Sequence, residues 1–189
     1  MKGFTLPKIG ARNLKTALAV SLCIIIFELI DRPYPFYACI AAVICMKDTV
    51  ENSMSIGKNR MIGTITGACV GILLTFIARS FNLTNFQGII TGIGIVLTIY
   101  LLNIFKKNGS VVIACIVCIA IMTNLHGRTP YSYAINRVID TFIGIIIALL
   151  INNYIYKYRK IVKKDLENIE EKILRLEKEV KEDIKKNKK

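Results

Sequence analysis

Apolar residues occur in six runs along the first 156 residues, at about 14–30, 34–47, 59–78, 87–105, 110–124 and 136–156. Most of these runs approach the ~20 residues that a helix needs to cross a bilayer. The run at 34–47 is short, since only 14 residues separate Arg32 from Lys47. We expect it to cross as well, because the matching run at 110–124 can do so. The pattern predicts an all-α membrane protein with six transmembrane helices in a domain over residues 1–156.

Two phrases are repeated along the chain. Asn-Arg-x-Ile-x-Thr-x-x-Gly occurs at 59–67 and 136–144, and Ala-Cys-Ile occurs at 38–40 and 114–116. Repetition at a fixed spacing indicates two related halves, which we place at about 10–80 and 86–156. Each half has three spans, an odd number, so the second half crosses the membrane upside down relative to the first. Inverted repeats of this kind recur in transporters.

The chain after Tyr156 differs from the rest, because it holds 13 of the 26 Lys and Arg and 8 of the 13 Asp and Glu. Apolar residues recur there at heptad spacing: Val162, Leu166, Ile169, Ile173, Leu176 and Val180. We predict a basic cytoplasmic helix over residues 157–189. Two interpretations stay open, a short coiled coil that joins subunits and an amphipathic helix that lies on anionic headgroups.

Basic residues are divided unequally between the two sides of the predicted membrane. With six crossings, 22 Lys and Arg lie on the side of the termini, and the other side has four: Arg32, Arg79, Arg128 and Arg137. Cytoplasmic loops carry the excess of Lys and Arg. We therefore predict a multi-pass protein of the bacterial inner membrane with both termini cytoplasmic. Since the basic residues are not interleaved with aromatic ones on one face, we predict no nucleic-acid partner.

The arginine of each repeated phrase is a candidate anion donor. Under this topology Arg60 lies in the first turn of the third helix and Arg137 in the first turn of the sixth, where free N–H groups and the helix dipole favour anions. A guanidinium group also binds a carboxylate through two parallel hydrogen bonds. The predicted pathway residues are Arg60, Arg137, Asn59, Asn136, Thr64, Thr141 and Asp140. The alternative is that both arginines are interface anchors that extend to lipid headgroups.

Asp140 stands where the first repeat has Gly63. Carboxylates inside the membrane are costly and often functional. Asp140 either pairs with Arg137, one turn earlier on the same helix, or faces a wet cavity in which it carries a proton or tunes an anion site.

Small residues spaced four apart allow transmembrane helices to approach closely. The predicted third and sixth helices contain Gly63, Gly67, Gly71 and Gly144. Gly88 and Gly92 form a further pair in the fourth helix. We predict a helix-packing role for all of these glycines.

No residue set for catalysis is found in the sequence. The single histidine, His126, has no neighbours at metal-ligand spacing, and Cys115-x-x-Cys118 is surrounded by apolar residues that favour a packing role. We therefore predict no catalytic residues, no metal site, no cofactor and no enzymatic activity.

Four stretches, 8–16, 32–38, 46–53 and the phrase that begins Asn59-Arg60-x-x-Gly63-Thr64, resemble the bacterial aromatic acid exporter family of the fusaric-acid-resistance (FUSC-like) superfamily. The Arg-x-x-Gly-Thr motif is also similar to that of the plant aluminium-activated malate transporters. The resemblance covers about residues 8–156. It implies a six-span domain, an organic anion as cargo, a basic pathway and a homodimer or higher homo-oligomer.

We predict a transporter or channel for organic carboxylate anions, aromatic ones included, that works in the direction of efflux. Arg60 and Arg137 would attract the anion at the two mouths of the pathway. The predicted partners are the lipid bilayer, the anion and further copies of the chain. The alternative function is a non-transporting membrane scaffold that dimerises or recruits a partner through its C-terminal helix.

Overall fold

A computed structural model describes residues 10–123 and 129–186, and over these residues the chain is helical with no strand. The described α-helices are α1 (Ala11–Leu29), α2 (Phe36–Cys45), α3 (Val50–Ser80), α4 (Gln87–Ile104), α5 (Val111–Met122) and α6 (Pro130–Lys186). Short 3₁₀ turns over Leu83–Phe86 and Asn108–Ser110 precede α4 and α5. The predicted all-α class is confirmed.

Three of the described helices are long and apolar enough to cross a membrane: α3, α4 and the part of α6 between Pro130 and Leu174. In α4 only Gly94, Thr98 and Leu102 are buried, and large apolar side chains cover the rest of its surface. An apolar surface of this extent marks contact with lipid or with another protein.

The helices α2 and α5 are short. They contain 10 and 12 residues, and at 1.5 Å per residue they extend about 15 and 18 Å. The hydrocarbon core of a bilayer is about 30 Å thick. The helix lengths therefore do not support the full crossing that was expected of residues 34–47.

Two glycines bring helices of the two halves into backbone contact. A Cβ atom added to Gly67 of α3 would lie 2.9 Å from the Cα atom of Ala114 in α5. One added to Gly144 of α6 would lie 2.8 Å from the Cα atom of Ala38 in α2. Real Cβ atoms do not approach other atoms so closely. The packing is reciprocal, because the glycine of each repeated phrase lies against the Ala-Cys-Ile phrase of the other half.

The other glycines of the spans have different surroundings. Gly63 faces the backbone of Ser110, and Gly71 faces the side chain of Ile121. Gly88 and Gly92 have no described atom within 4 Å of an added Cβ, so the close helix approach expected of this pair is wrong. The reason is the rotation of α4, which turns Gly94 rather than the other two glycines toward Leu74 and Cys118.

The helix α6 continues without a break through the boundary predicted near residue 156. The chain nevertheless divides into two compact units, Met1–Asn152 and Asn153–Lys189. In the second unit the apolar side chains of Val162, Leu166, Ile169 and Ile173 are exposed. Leu176 and Val180, the other members of the predicted heptad series, lie outside the described side chains.

Candidate functional site

Both helices that carry the repeated phrase begin well before it. The side chain of Thr49 caps α3, with an N–H···Oγ1 distance of 3.2 Å, and Thr129 accepts a similar bond of 3.4 Å at the start of α6. Arg60 therefore lies about 15 Å, and Arg137 about 10 Å, along its helix. The prediction that both arginines occupy a first helical turn is wrong, because the residues before each phrase extend the helix back to a threonine. The effect of the helix dipole is confined to the first turn and does not reach them.

Both arginines are buried inside the first compact unit. Arg60 is 3% exposed and Arg137 is 5% exposed, so neither side chain lies on the outer surface of the helices. The Nε and Nη1 atoms of both groups have no hydrogen-bond partner among the described residues. Buried polar groups are nearly always hydrogen-bonded. Four unpaired nitrogen atoms on two buried guanidinium groups are therefore an exceptional feature among the described residues.

Contacts near one end of α3 define how it runs beside α6. The amide nitrogen of Asn152 donates to Ser53 Oγ at 2.8 Å, and one turn further along α3 a Cβ added to Gly57 would lie 2.8 Å from Ile145. As residue numbers rise in α3 they fall in α6. The two helices are therefore antiparallel along this stretch.

This register brings the two repeated phrases to the same level. Continued by one turn, it places Arg60 level with Thr141, and Thr64 level with Arg137. The charge of Arg137 acts unfavourably on that of Arg60, which agrees with this register. Both threonines are buried, and the Thr141 hydroxyl has no hydrogen-bond partner among the described residues. The register thus places the four side chains at one level of the two helices, and we call Arg60 and Arg137 the arginine pair.

Two tyrosines lie beside this arginine pair and were not predicted as site residues. The Cζ atom of Arg137 lies 3.5 Å from the ring centroid of Tyr37, a cation–π contact. The Tyr37 hydroxyl shares a hydrogen bond of 2.9 Å with that of Tyr133. The sequence does carry a weak signal for both residues, since Tyr37 directly precedes Ala-Cys-Ile and Tyr133 lies one turn before Arg137.

Asp140 is 4% exposed and forms an ion pair that the sequence did not predict. The Nε atom of Arg32 donates to Asp140 Oδ1 at 2.7 Å, and Arg32 Nη2 donates to Asn136 Oδ1 at 2.9 Å. Asp140 also attracts Arg137 electrostatically. Neither interpretation of Asp140 named Arg32, which is 108 residues away in sequence.

The remaining predicted residues lie apart from the arginine pair. Asn59 is half-buried and faces Gly109, just before α5, while Asn136 contacts Arg32, before α2. Among the described residues no three His, Cys, Asp or Glu lie close enough to hold a metal ion. His126 is outside the described residues.

A second buried polar cluster surrounds Asn152, which is fully buried. Its side-chain oxygen accepts a hydrogen bond from Lys15 Nζ at 3.0 Å. Its amide nitrogen donates to Ser53 Oγ and to the backbone oxygens of Lys47 and Thr49. One side chain thus joins α6, α1 and the start of α3. A polar residue in an apolar run was the only sequence signal for this role.

We expect Asn152→Ala to destabilise the fold by roughly 2 kcal/mol, because it removes several buried hydrogen bonds, one of them to a charged group. The neighbouring exposed Asn153 provides the control, and Asn153→Ala is expected to change stability little. Melting curves in detergent, followed by size exclusion after heating, measure both variants. Equal melting temperatures for Asn152→Ala and wild type would show that this cluster contributes no net stability.

Two cavities lie near the two ends of α3. One of about 190 Å³ is lined by residues that include Arg79, Gln87 and Met122. Another of about 410 Å³ is lined by residues that include Arg12 and Lys47. The arginine pair is thus enclosed between two ends that each carry accessible cations. The predicted position of Arg60 and Arg137 at the mouths does not match this arrangement.

The fold and site define a helical protein with apolar outer surfaces and a buried cationic centre. Residues 7–155 match the family profile described as aromatic acid exporter family member 1, and the chain belongs to the aromatic acid exporter family. It is a multi-pass membrane protein of a transporter family.

Curated relatives are more distant. A UPF0421 protein of Staphylococcus haemolyticus is 24% identical over 144 residues, which is 76% of this chain and 42% of the relative. A UPF0421 protein of Staphylococcus aureus strain USA300 is 24% identical over 148 residues, 78% of this chain and 43% of the relative. The chain thus spans less than half the length of these relatives. No solved structure matches the chain.

Proposed function

We propose that this protein transports organic carboxylate anions, aromatic ones included, outward across the bacterial inner membrane. The observation that carries the proposal is the arginine pair, with its four unpaired guanidinium nitrogen atoms. A buried donor that is left without an acceptor lowers stability, and more so when it belongs to a charged group. A carboxylate between Arg60 and Arg137 would accept those donors and reduce their repulsion. We propose no enzymatic activity and no cofactor.

Six crossings arranged as two inverted repeats are part of this proposal, with both termini in the cytoplasm. The reciprocal contacts of Gly67 with Ala114 and of Gly144 with Ala38 support it. The two copies of the repeated phrase also match in burial at eight of nine positions. Structurally equivalent halves of opposite orientation can form the two walls of one pathway.

The route of the anion follows from this topology. Arg12 and Lys47 line the cavity at the proposed cytoplasmic end and would collect the anion there. The arginine pair would hold it at mid-depth, where Thr64 and Thr141 provide hydroxyl groups. Arg79 lines the cavity at the opposite end of α3, where the anion would leave. Tyr37 presents an aromatic ring beside Arg137, which suits a substrate with a ring of its own.

We expect liposomes that contain the purified chain to take up radiolabelled benzoate at pH 7.5 faster than empty liposomes. Unlabelled salicylate should compete with this uptake, whereas salicylamide, which has the same ring but no carboxylate, should not. Uptake equal to that of empty liposomes would remove this substrate class. Equal competition by the acid and the amide would show that the carboxylate is not what the site recognises.

The exposed apolar residues of the second unit favour an additional role in self-association, and the alternative proposal, a scaffold, rests on them. Val162, Leu166, Ile169 and Ile173 lie at coiled-coil spacing, so we propose that they join two copies in a homodimer or higher oligomer. The same liposome assay includes a chain truncated after Lys157. If the protein is a transporter, the truncated chain still carries benzoate faster than empty liposomes take it up. If the protein is a scaffold, the full-length chain self-associates but does not carry benzoate.

A further inference from the structure

Each repeated phrase contacts a neighbouring part of the chain at its fifth position, and the two contacts differ in kind. At Gly63 an added Cβ would lie 2.5 Å from the Ser110 carbonyl oxygen, so α3 and the start of α5 are in backbone contact. At the equivalent place Asp140 forms an ion pair with Arg32. A backbone contact opens only when two helices separate. An ion pair opens when a side chain changes partner.

Arg32 is held in a strained connection between α1 and α2. Two residues beside it, Asp31 and Tyr34, have positive φ angles of 49° and 64°. This conformation is unfavourable for a bulky residue such as tyrosine. The Arg32 N–H bonds to the Phe27 oxygen at 2.9 Å and fixes the turn. Strained backbone of this kind is frequent where a side chain must be held in a functional position.

The ion pair lies between the arginine pair and the surface. The side chain of Asp140 is 6% exposed, while that of Arg32 is 24% exposed. Arg32 also donates a hydrogen bond to Asn136, the residue before Arg137. Asp140 pairs with Arg32 and also attracts Arg137 electrostatically. An anion that leaves Arg137 toward this end of the molecule therefore meets Arg32 next.

We propose that Arg32 is a third arginine of the transport site and that Asp140 is its resident counter-ion, which the transported carboxylate displaces on its way out. This inference rests on the proposed function. At the moment of exchange the substrate carboxylate passes from Arg137 to Arg32, and Asp140 turns from Arg32 to Arg137, which already attracts it. Each charge thus keeps a partner, and the cost of an unpaired buried charge is avoided. On the side of Gly63 no such exchange is available. The Arg32 end is thus the end that opens by side-chain movement.

The two members of the ion pair are expected to change substrate affinity in opposite directions. Asp140→Asn frees Arg32 for the substrate, so the KM for benzoate should fall roughly tenfold and the maximal rate should fall with it, because release slows. Arg32→Gln leaves Asp140 to compete with substrate for Arg137, so the KM should rise by a similar factor. The double variant should return toward the wild-type KM. A purely structural pair would give two unstable variants without opposite shifts in KM.

The assay measures the concentration dependence of benzoate flux in liposomes for all four proteins, with melting curves as the test of folding. Arg32→Lys keeps the charge and loses only the fork geometry, so it provides a milder variant with a smaller rise in KM if Arg32→Gln does not fold. The role of Arg32 is overturned if the wild type is active and both single variants shift KM in the same direction. It is also overturned if KM is unchanged in every folded variant. Neither result affects the proposed function itself. A wild type without flux overturns the proposed function as well.

Discussion

We expect Arg60→Gln and Arg137→Gln each to lower kcat/KM for benzoate at least tenfold and to raise the melting temperature of the substrate-free protein. Hydrogen bonds to charged groups contribute about 1.5–3 kcal/mol, which corresponds to roughly tenfold to a hundredfold in affinity. The gain in stability arises because each substitution removes a buried charge whose donors are unused. Function and stability therefore change in opposite directions.

The control for this prediction is Lys58→Gln, which removes an exposed cation from α3, the helix that carries Arg60. It should leave both the melting temperature and the flux near wild-type values. A second readout is the stabilisation of the wild type by benzoate, because a ligand that binds only the folded state raises its melting temperature. Both buried-site variants should lose this response. A variant that melts lower than wild type and keeps its flux would show that the arginines are structural.

We expect Gly67→Ala and Gly144→Ala to destabilise the fold far more than a methyl addition at a glycine that faces open space, such as Gly92. In each case the new Cβ would overlap the backbone of the facing short helix. Backbone cannot turn away as a flexible side chain can, so the helices must separate along the contact. Insertion of atoms into a packed interior costs typically 1–3 kcal/mol, and here the cost includes lost contacts along α2 or α5.

The matched control is Gly92→Ala, which adds the same methyl group to a helix with no described atom within 4 Å. Alanine favours a helix by about 1 kcal/mol over glycine, so this variant should equal or exceed the wild type in stability. The measurement is the fraction of protein that remains monodisperse on size exclusion after heating. Similar losses for Gly92→Ala and Gly144→Ala would contradict the close contact between α6 and α2.

The sequence predicted the helices well because their signal is local. Each apolar run corresponds to a helix, and the repeated phrase identifies Arg60 and Arg137 as candidate site residues. The first residues of the helices were harder to predict. The residues between Thr49 and Asn59 are more polar than the apolar run, yet they belong to the same helix. The rotation of α4 was also not predictable, because nothing in the sequence shows which of Gly88, Gly92 and Gly94 faces α3.

The partners within the site depend on contacts that no local pattern encodes. Arg32 and Asp140 are separated by 108 residues, and Lys15 and Asn152 by 137. A single sequence shows each of these residues as an isolated polar position. Which of them meet is decided by how two glycine contacts align the halves, so it emerges only after the helices pack.

The reciprocal glycine contacts have a consequence for how the chain is made. The backbone of Ala38 in α2 lies against Gly144, which comes more than one hundred residues later in the chain. At a synthesis rate of ~5–20 residues per second, that partner emerges from the ribosome on the order of ten seconds after α2 does. During this interval the ten-residue helix α2 has only its contacts with α1 and α3 to hold it in place. The packing of the first half is thus completed only after the second half has been made and α6 has been inserted.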